Sequence, residues 1–199
     1  VEATAILFET GIWARIPDDM DRKVALAALD VAGAAAQVHG MVKPGDSVLI
    51  LGASGKSGVL CSVQARRDAG PQGNVIALCY DPQEMEELKA LGVCDHIIRA
   101  DARKPLDVYR QVLAANGGRK VDLSINVINV PDTEMATILP VRDGGIIYFF
   151  SMATSFSKAA LGAEGVASDA TMIIGNGYTK GHADFTLSLL RSSPELYQL

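Results

Sequence analysis

Short segments that are almost wholly apolar alternate with helix-like segments along most of this chain. The apolar segments have the length of strands and are bounded by turn residues. Strands that are apolar on both faces are typical of parallel sheets covered by helices on both sides. The alternation therefore predicts βαβ units and an α/β fold. The predicted strands are residues 47–51, 74–80, 95–100, 121–128, 144–151 and 171–176, and the predicted helices are residues 21–42, 56–69, 81–92, 105–118, 131–140 and 182–191.

Composition limits the class of protein. The 199 residues are enough for one domain and part of another. Hydrophobic residues make up 49% and charged residues 21%, which indicates a globular chain with a sizeable core. The net charge is -5 and no basic patch with interleaved aromatic residues occurs, so we expect no nucleic-acid partner. No apolar run approaches the ~20 residues that cross a bilayer, so we expect no membrane span.

Three cysteines, Cys61, Cys79 and Cys94, lie in apolar or strand-edge contexts without C-x-x-C spacing. This pattern argues against a disulfide framework or a structural zinc site, and it predicts buried thiols. The first residues also lack the basic segment of a signal peptide. We therefore expect a cytoplasmic protein.

A glycine-rich loop, ILGASGKSGVL, follows the first predicted strand at residues 50–60. Its Gly-Lys-Ser triplet, residues 55–57, matches the end of a nucleoside-triphosphate P-loop. A P-loop also needs a glycine five residues before Gly55, where the backbone begins to wrap the phosphates. Ile50 stands there, within the strand, and Gly52 begins too short a loop. The P-loop interpretation is therefore rejected.

The same loop fits a dinucleotide turn better. G-x-G-x-x-G is not strictly kept, because Ser54 occupies the second position, but G-x-x-G-x-x-G stands between a strand and a helix. Gly52 permits the tight turn, Gly55 lets the backbone approach a pyrophosphate, and Gly58 allows close contact between helix and strand. The helix N-terminus then faces the pyrophosphate. The predicted cofactor-binding residues here are Gly52, Ser54, Gly55, Lys56, Ser57 and Gly58, with the Lys56 side chain directed to solvent or to a phosphate oxygen.

Four segments together resemble the medium-chain dehydrogenase/reductase family. They are VKPGDSVLILGASGKSGVLCSVQARRDAG (42–70), the Ala-rich ALAALDVAGAAAQV (25–38), ELKALGVCDHII (87–98) and VDLSINVINVPDTEMATILPVRDGGIIYFFS (121–151). The resemblance covers roughly residues 15 to 190. It implies a Rossmann-type, doubly wound parallel sheet with helices on both faces. It also implies that residues 1–20 are a linker or the tail of a preceding catalytic domain, that the Rossmann domain spans residues 21–191, and that residues 192–199 are a truncated C-terminal segment.

Three further segments, at residues 8–21, 125–140 and 175–185, resemble an amine-oxidising member of the family. The resemblance implies NAD(P)-dependent oxidative deamination of a small diamino acid. Two alternatives stay open. One is a zinc-independent quinone or alcohol reductase of the same family, and the other is a non-catalytic dinucleotide-binding module. Family members commonly pair through their last Rossmann strand, so the resemblance also implies a homo-oligomer.

Further site residues follow from the resemblance by position. Asn129 and Val130, after the fourth strand, are expected beneath the nicotinamide ribose. Strand ends are where open α/β sheets bind ligands, so the ends of the fifth and sixth strands should line the nicotinamide pocket through Ser151, Met152, Gly175 and Asn176.

Asp30 is the candidate catalytic residue. It falls near the place where some family members carry an acidic residue. Its carboxylate has three open roles: a zinc ligand, a partner for a substrate ammonium, or a cap for polar groups. His39 and His96 fit structural roles, and His182 is a weak acid–base candidate because it follows the sixth strand. No metal-ligand spacing occurs, and we assign no metal site.

The choice between NAD and NADP depends on the end of the second strand. The acid that holds the adenosine ribose in NAD-dependent proteins is replaced by Cys79 at the usual position, and Tyr80 and Asp81 follow. If Asp81 reaches the ribose, its charge would repel a 2′-phosphate and NAD is preferred. If Asp81 caps the next helix, Cys79 and Tyr80 leave room for that phosphate, and Arg103 and Lys104 could then contact it. We favour NAD.

Overall fold

A computed structural model describes residues 2–175, 177–194 and 196. Fourteen elements follow one another along these residues. The strands are β1 (Ser47–Leu51), β2 (Asn74–Cys79), β3 (His96–Arg99), β4 (Val121–Asn126), β5 (Val141–Phe149) and β6 (Thr171–Ile174). The helices are α1 (Arg22–Asp30), α2 (Ala32–Met41), α3 (Lys56–Ala69), α4 (Pro82–Leu91), α5 (Pro105–Ala115), α6 (Glu134–Ile138), α7 (Phe156–Gly165) and α8 (His182–Arg191).

The six strands form one parallel sheet in the order β3-β2-β1-β4-β5-β6. This is the strand order of dinucleotide-binding Rossmann folds, in which the chain reverses direction across the sheet after β3. The predicted α/β fold with a doubly wound parallel sheet is confirmed. The order brings the carboxyl ends of β1 and β4 side by side, which opens a crevice where ligands bind in such sheets.

The central strand β1 has no solvent-exposed residue, because both of its faces are covered. Successive side chains of a strand point to opposite faces. Val48 and Ile50 accordingly pack in one core cluster with α2, α3 and α4. Leu49 and Leu51 pack in the other with α5, α6 and α7. The apolar run that identified β1 in the sequence is therefore the result of burial on both sides.

The predicted helix at residues 21–42 is wrong as a single element. The chain breaks at Val31, whose ψ of 21° leaves the helical range, and α1 and α2 meet at 57°. The new direction seats Gly33 against the backbone of Gly177, where a Cβ would lie 2.3 Å from the Gly177 oxygen. The Thr186 hydroxyl also donates to the Ala32 carbonyl at the break. Contacts with the distant loop before α8 thus override the local Ala-rich helix preference.

The predicted start of β5 at Gly144 is also wrong. Pairing with β4 already begins at Val141, opposite Val121, and resumes at Ile146, opposite Leu123. The additional residues form an irregularity in which Gly144 has a φ of +66°, a conformation that glycine adopts easily. The sequence pattern marked these glycines as a boundary, whereas the strand passes through them. At the other edge, β6 ends at Ile174, before the predicted end.

Residues 2–20 contain no helix or strand, and α7 lies in the segment rich in small residues between β5 and β6. Among the described residues no single helix has the length and apolar character to cross a bilayer. The helices α1 and α2 pass such a test only when they are counted together across their bend.

Candidate functional site

A cavity of about 500 Å³ opens at the carboxyl edge of the sheet. Its wall is formed by the ends of β1, β2, β3 and β4. Open α/β sheets bind ligands in such a crevice, where the strand order reverses. The lining residues are Gly52, Ser54 and Gly55 after β1; residues 78–80 and Glu84 around the end of β2; residues 100–103 after β3; and residues 127–130 with Thr133 after β4.

Two glycines of the loop after β1 are required by the fold itself. Gly52 has a φ of +83°, and a Cβ on it would lie 2.8 Å from Cγ1 of Ile128. Gly58 lies in the first turn of α3, where a Cβ would be 2.1 Å from the Gly52 oxygen. The turn therefore packs α3 directly on the end of β1. These positions agree with the predicted tight turn and close helix–strand contact.

Gly55 differs from the other two glycines. It is the N-cap of α3 with φ −72° and ψ 166°, which any residue can adopt. A Cβ on it would meet a single neighbour, the Gly52 oxygen, at an ordinary distance of 3.7 Å. Glycine at the N-cap offers no side-chain acceptor, and among the described residues no other side chain accepts from the first N–H groups of α3. Neither the backbone angles nor the packing of the described residues therefore requires a glycine at this position.

Lys56 and Asp30 form an ion pair. Lys56 Nζ donates to Asp30 Oδ2 over 2.7 Å, and both side chains are more than half exposed. Sequence reasoning treated the two residues separately, since 26 positions divide them. Asp30 therefore has a cationic partner within the chain, and neither residue lines the cavity.

The carboxylate of Asp81 caps α4. Its Oδ1 accepts the N–H of Gln83 over 2.7 Å, the side chain is exposed, and the residue does not line the cavity. Of the two arrangements considered for Asp81, the helix cap is the observed one. Cys79 and Tyr80 do line the cavity. Burial raises the pKa of the Cys79 thiol to about 11, so this group is neutral at physiological pH.

Two acidic residues reach the cavity from other positions. Glu84, in the first turn of α4, accepts a 2.9 Å hydrogen bond from the Ser54 hydroxyl. Asp101 follows β3 and accepts two 3.0 Å hydrogen bonds from the guanidinium of Arg103. The Arg103 hydrogen bonds hold the pKa of Asp101 below its usual value. Sequence reasoning missed Glu84 and Asp101. Asp101 could have been found from its place directly after a strand, whereas Glu84 lies within a helix.

The loop after β4 forms the opposite wall and is fixed by a buried amide. Asn126 Nδ2 donates to the hydroxyls of Thr133 and Thr137 at 2.9 and 2.8 Å, and its Oδ1 accepts the N–H of Ile128. Asn129 and Val130 follow on this loop and line the cavity, and their place beneath a nicotinamide ribose stays a prediction.

Ser151, Met152 and Gly175 follow strands β5 and β6 at the same edge of the sheet but do not line this cavity. Met152 is 90% exposed, and the Ser151 N–H donates to the Asn126 carbonyl. Gly175 is buried, with its N–H donating to the Phe149 carbonyl. Asn176 lies outside the described residues.

The histidines occupy separate places. His39 Nδ1 lies 2.9 Å from Asp68 Oδ1 near the end of α2, and His182 Nδ1 lies 2.7 Å from the Thr179 carbonyl oxygen. His96 is exposed on β3. Within the described parts of the chain, no three His, Cys, Asp or Glu side chains come together as a metal-binding group.

The chain is 57% identical over 193 residues to L-erythro-3,5-diaminohexanoate dehydrogenase of Acetoanaerobium sticklandii, a match that covers 97% of this chain and 56% of the relative. It is 55% identical over 199 residues to the enzyme of the same name from Fusobacterium nucleatum, covering all of this chain and 58% of the relative. This chain resembles L-erythro-3,5-diaminohexanoate dehydrogenase. It spans somewhat more than half the length of these curated relatives.

Solved structures support the fold. An alcohol dehydrogenase from Thermotoga maritima superposes with a TM-score of 0.71 at 20% identity, covering 92% of this chain and 50% of that protein. No protein-family model matches the sequence. The predicted resemblance to a dehydrogenase is confirmed by the two named relatives, and the solved alcohol dehydrogenase shares the fold.

Proposed function

We propose that the cavity at the carboxyl edge binds a nicotinamide dinucleotide, with the pyrophosphate against the N-terminus of α3. The observation that carries this proposal is Gly55. It lies at the cavity edge, its backbone angles and its surroundings would accept a side chain, and the helix behind it has no side-chain cap. A pyrophosphate resting on the backbone at that position would need the space that a side chain fills.

The proposed reaction is oxidative deamination of 3,5-diaminohexanoate to 5-amino-3-oxohexanoate, in lysine fermentation. Its support is the high identity to two enzymes named for that substrate. A bound nicotinamide supplies the hydride acceptor. The amino carbon is oxidised to an imine, which water hydrolyses to the ketone with release of ammonia. The described residues hold the dinucleotide. Asp30 stays a candidate for the substrate ammonium, which would have to compete with Lys56 for its carboxylate.

NAD is the proposed cofactor, in preference to NADP. The charged side chains on the cavity wall are Glu84, Asp101 and Arg103, and Arg103 already shares two hydrogen bonds with Asp101. A 2′-phosphate would therefore meet more negative than positive charge on this wall.

The reaction is tested by following reduced-nicotinamide absorbance with the whole protein, 3,5-diaminohexanoate and NAD. We expect reduction at a rate that depends on the diamino acid, with one ammonia released for each reduced nicotinamide. Reduction with an alcohol but without ammonia would indicate an alcohol dehydrogenase instead. Absence of reduction with any amine or alcohol would contradict an enzymatic function for this protein.

A homo-oligomer is proposed through β6. This strand is the edge of the described sheet, and its Ile173 and Ile174 are 37% and 50% exposed. An apolar sheet edge with unpaired backbone groups is a ready surface for a second copy. Light scattering of the whole protein should give at least a dimer mass, and a monomer mass in dilute solution would contradict the proposal.

A cytoplasmic location stays a prediction.

A further inference from the structure

Two residues that depart from the NAD-binding pattern line the cavity. Ser54 replaces the second glycine of G-x-G-x-x-G, and Cys79 replaces the acid expected at the end of β2. Cys79 cannot act for that acid, because its buried thiol is neutral at physiological pH. The end of β2 therefore lacks the carboxylate that would accept hydrogen bonds from the adenosine ribose.

One hydrogen bond connects Ser54 to the helix that follows Cys79. The Ser54 hydroxyl donates to Oε2 of Glu84 over 2.9 Å, across the 30 positions that separate loop and helix. Both residues line the cavity beside Cys79. A glycine at position 54 would have no hydroxyl to fix this carboxylate. The serine that breaks the glycine pattern thus orients an acid from the next helix towards the place where β2 lacks one.

The second oxygen of this carboxylate is available. Among residues 2–175, 177–194 and 196, no donor bonds to Oε1 of Glu84. The neighbouring acids differ in this respect. The Asp81 carboxylate caps α4 by accepting the N–H of Gln83, and Asp81 does not line the cavity. Asp101 accepts two hydrogen bonds from the Arg103 guanidinium.

We propose that Glu84 is the residue that selects NAD over NADP. Its carboxylate accepts from the adenosine ribose hydroxyls in place of the missing acid of β2, and Ser54 is the residue that positions it. A 2′-phosphate would bring like charge against this carboxylate and would remove one of the hydroxyl donors, so both effects disfavour NADP. This inference rests on the proposed dinucleotide site.

Calorimetric titration of NAD and NADP into the Glu84→Gln variant tests the proposal. Glutamine keeps the side-chain length and an oxygen that can accept from Ser54, but it loses the charge. We expect weaker NAD binding and tighter NADP binding, with a combined change in the affinity ratio of about ten-fold or more, as loss of a charge-assisted hydrogen bond and of a repulsion predicts.

Asp81→Asn is the matched control. It removes one negative charge at the start of the same helix, at an exposed residue that caps the helix and does not line the cavity. Its affinity ratio should change by less than about three-fold. Ser54→Ala alone should weaken NAD binding. The same substitution in the Glu84→Gln variant should have no further effect, because the hydroxyl acts through the Glu84 carboxylate.

The outcomes distinguish the role of Glu84 from the existence of the dinucleotide site. Dinucleotide binding with an unchanged ratio in Glu84→Gln, or with an equal change in Asp81→Asn, would overturn the role of Glu84 and leave the dinucleotide site standing. Failure of the wild-type protein to bind either dinucleotide would overturn the proposed site, and the role of Glu84 with it.

Discussion

Replacing Gly55 by valine should abolish dinucleotide binding and leave the protein folded. The backbone angles at Gly55 suit a β-branched residue, and the space in front of its Cα is open. In the proposed complex the pyrophosphate fills that space, so the valine side chain would displace it from the N–H groups of α3. We expect affinity for NAD to fall at least about 100-fold in calorimetry, whereas the free energy of unfolding falls by no more than about 1 kcal/mol, the cost of a poorer N-cap.

The matched control is Gly40→Val in α2. A Cβ at Gly40 meets nothing within 4 Å, and the residue is remote from the cavity lining. This variant adds the same atoms to an open glycine, and its NAD affinity should equal that of the wild type. If Gly55→Val binds NAD as tightly as Gly40→Val does, the pyrophosphate does not lie on the Gly55 backbone.

Replacing Gly58 by alanine should instead damage the fold. The added Cβ would lie 2.1 Å from the Gly52 oxygen and 2.6 Å from two Ala53 backbone atoms. These contacts are with backbone rather than with a flexible side chain, so α3 must move away from the end of β1. We expect a loss of about 2–4 kcal/mol in the free energy of unfolding, measured by urea denaturation without any ligand.

A second substitution in a helix provides the comparison for Gly58→Ala. Gly40→Ala places the same methyl group in α2 without a steric neighbour, and it should raise the free energy of unfolding by about 0.5–1 kcal/mol because alanine favours helix. The two variants should therefore shift stability in opposite directions. A stability for Gly58→Ala equal to that of the wild type would mean that α3 does not approach the strand as closely as described.

The sheet could be predicted from the sequence because its signal is local. Each residue of β1 is buried, and burial on both faces leaves a continuous apolar run in the chain. The loop after β1 could be predicted for the same reason, since Gly52, Gly55 and Gly58 lie within seven consecutive positions. The break at Val31 could not be predicted, because its cause is a contact between Gly33 and Gly177, which are remote in sequence.

The polar contacts in the candidate site could not be predicted from the sequence, for a similar reason. Glu84 meets Ser54 only after α4 has been packed beside the loop, and Lys56 meets Asp30 only after α1 has been placed against α3. Asp81 shows the opposite case. The sequence left two roles open for Asp81, a ribose contact and a helix cap. The hydrogen bond from the N–H of Gln83 shows that Asp81 is the helix cap. Short-range bonds and strand ends can be read from a sequence, whereas pairs between elements require the fold.

The most direct test of the dinucleotide site is a crystal structure of the protein soaked with NAD. We expect electron density for the pyrophosphate over the backbone of Gly55, at the N-terminus of α3. We also expect the adenosine ribose beside Glu84, within the cavity formed by the ends of β1, β2, β3 and β4. Density for NAD at another surface, or an empty cavity at saturating NAD, would contradict the proposed dinucleotide site.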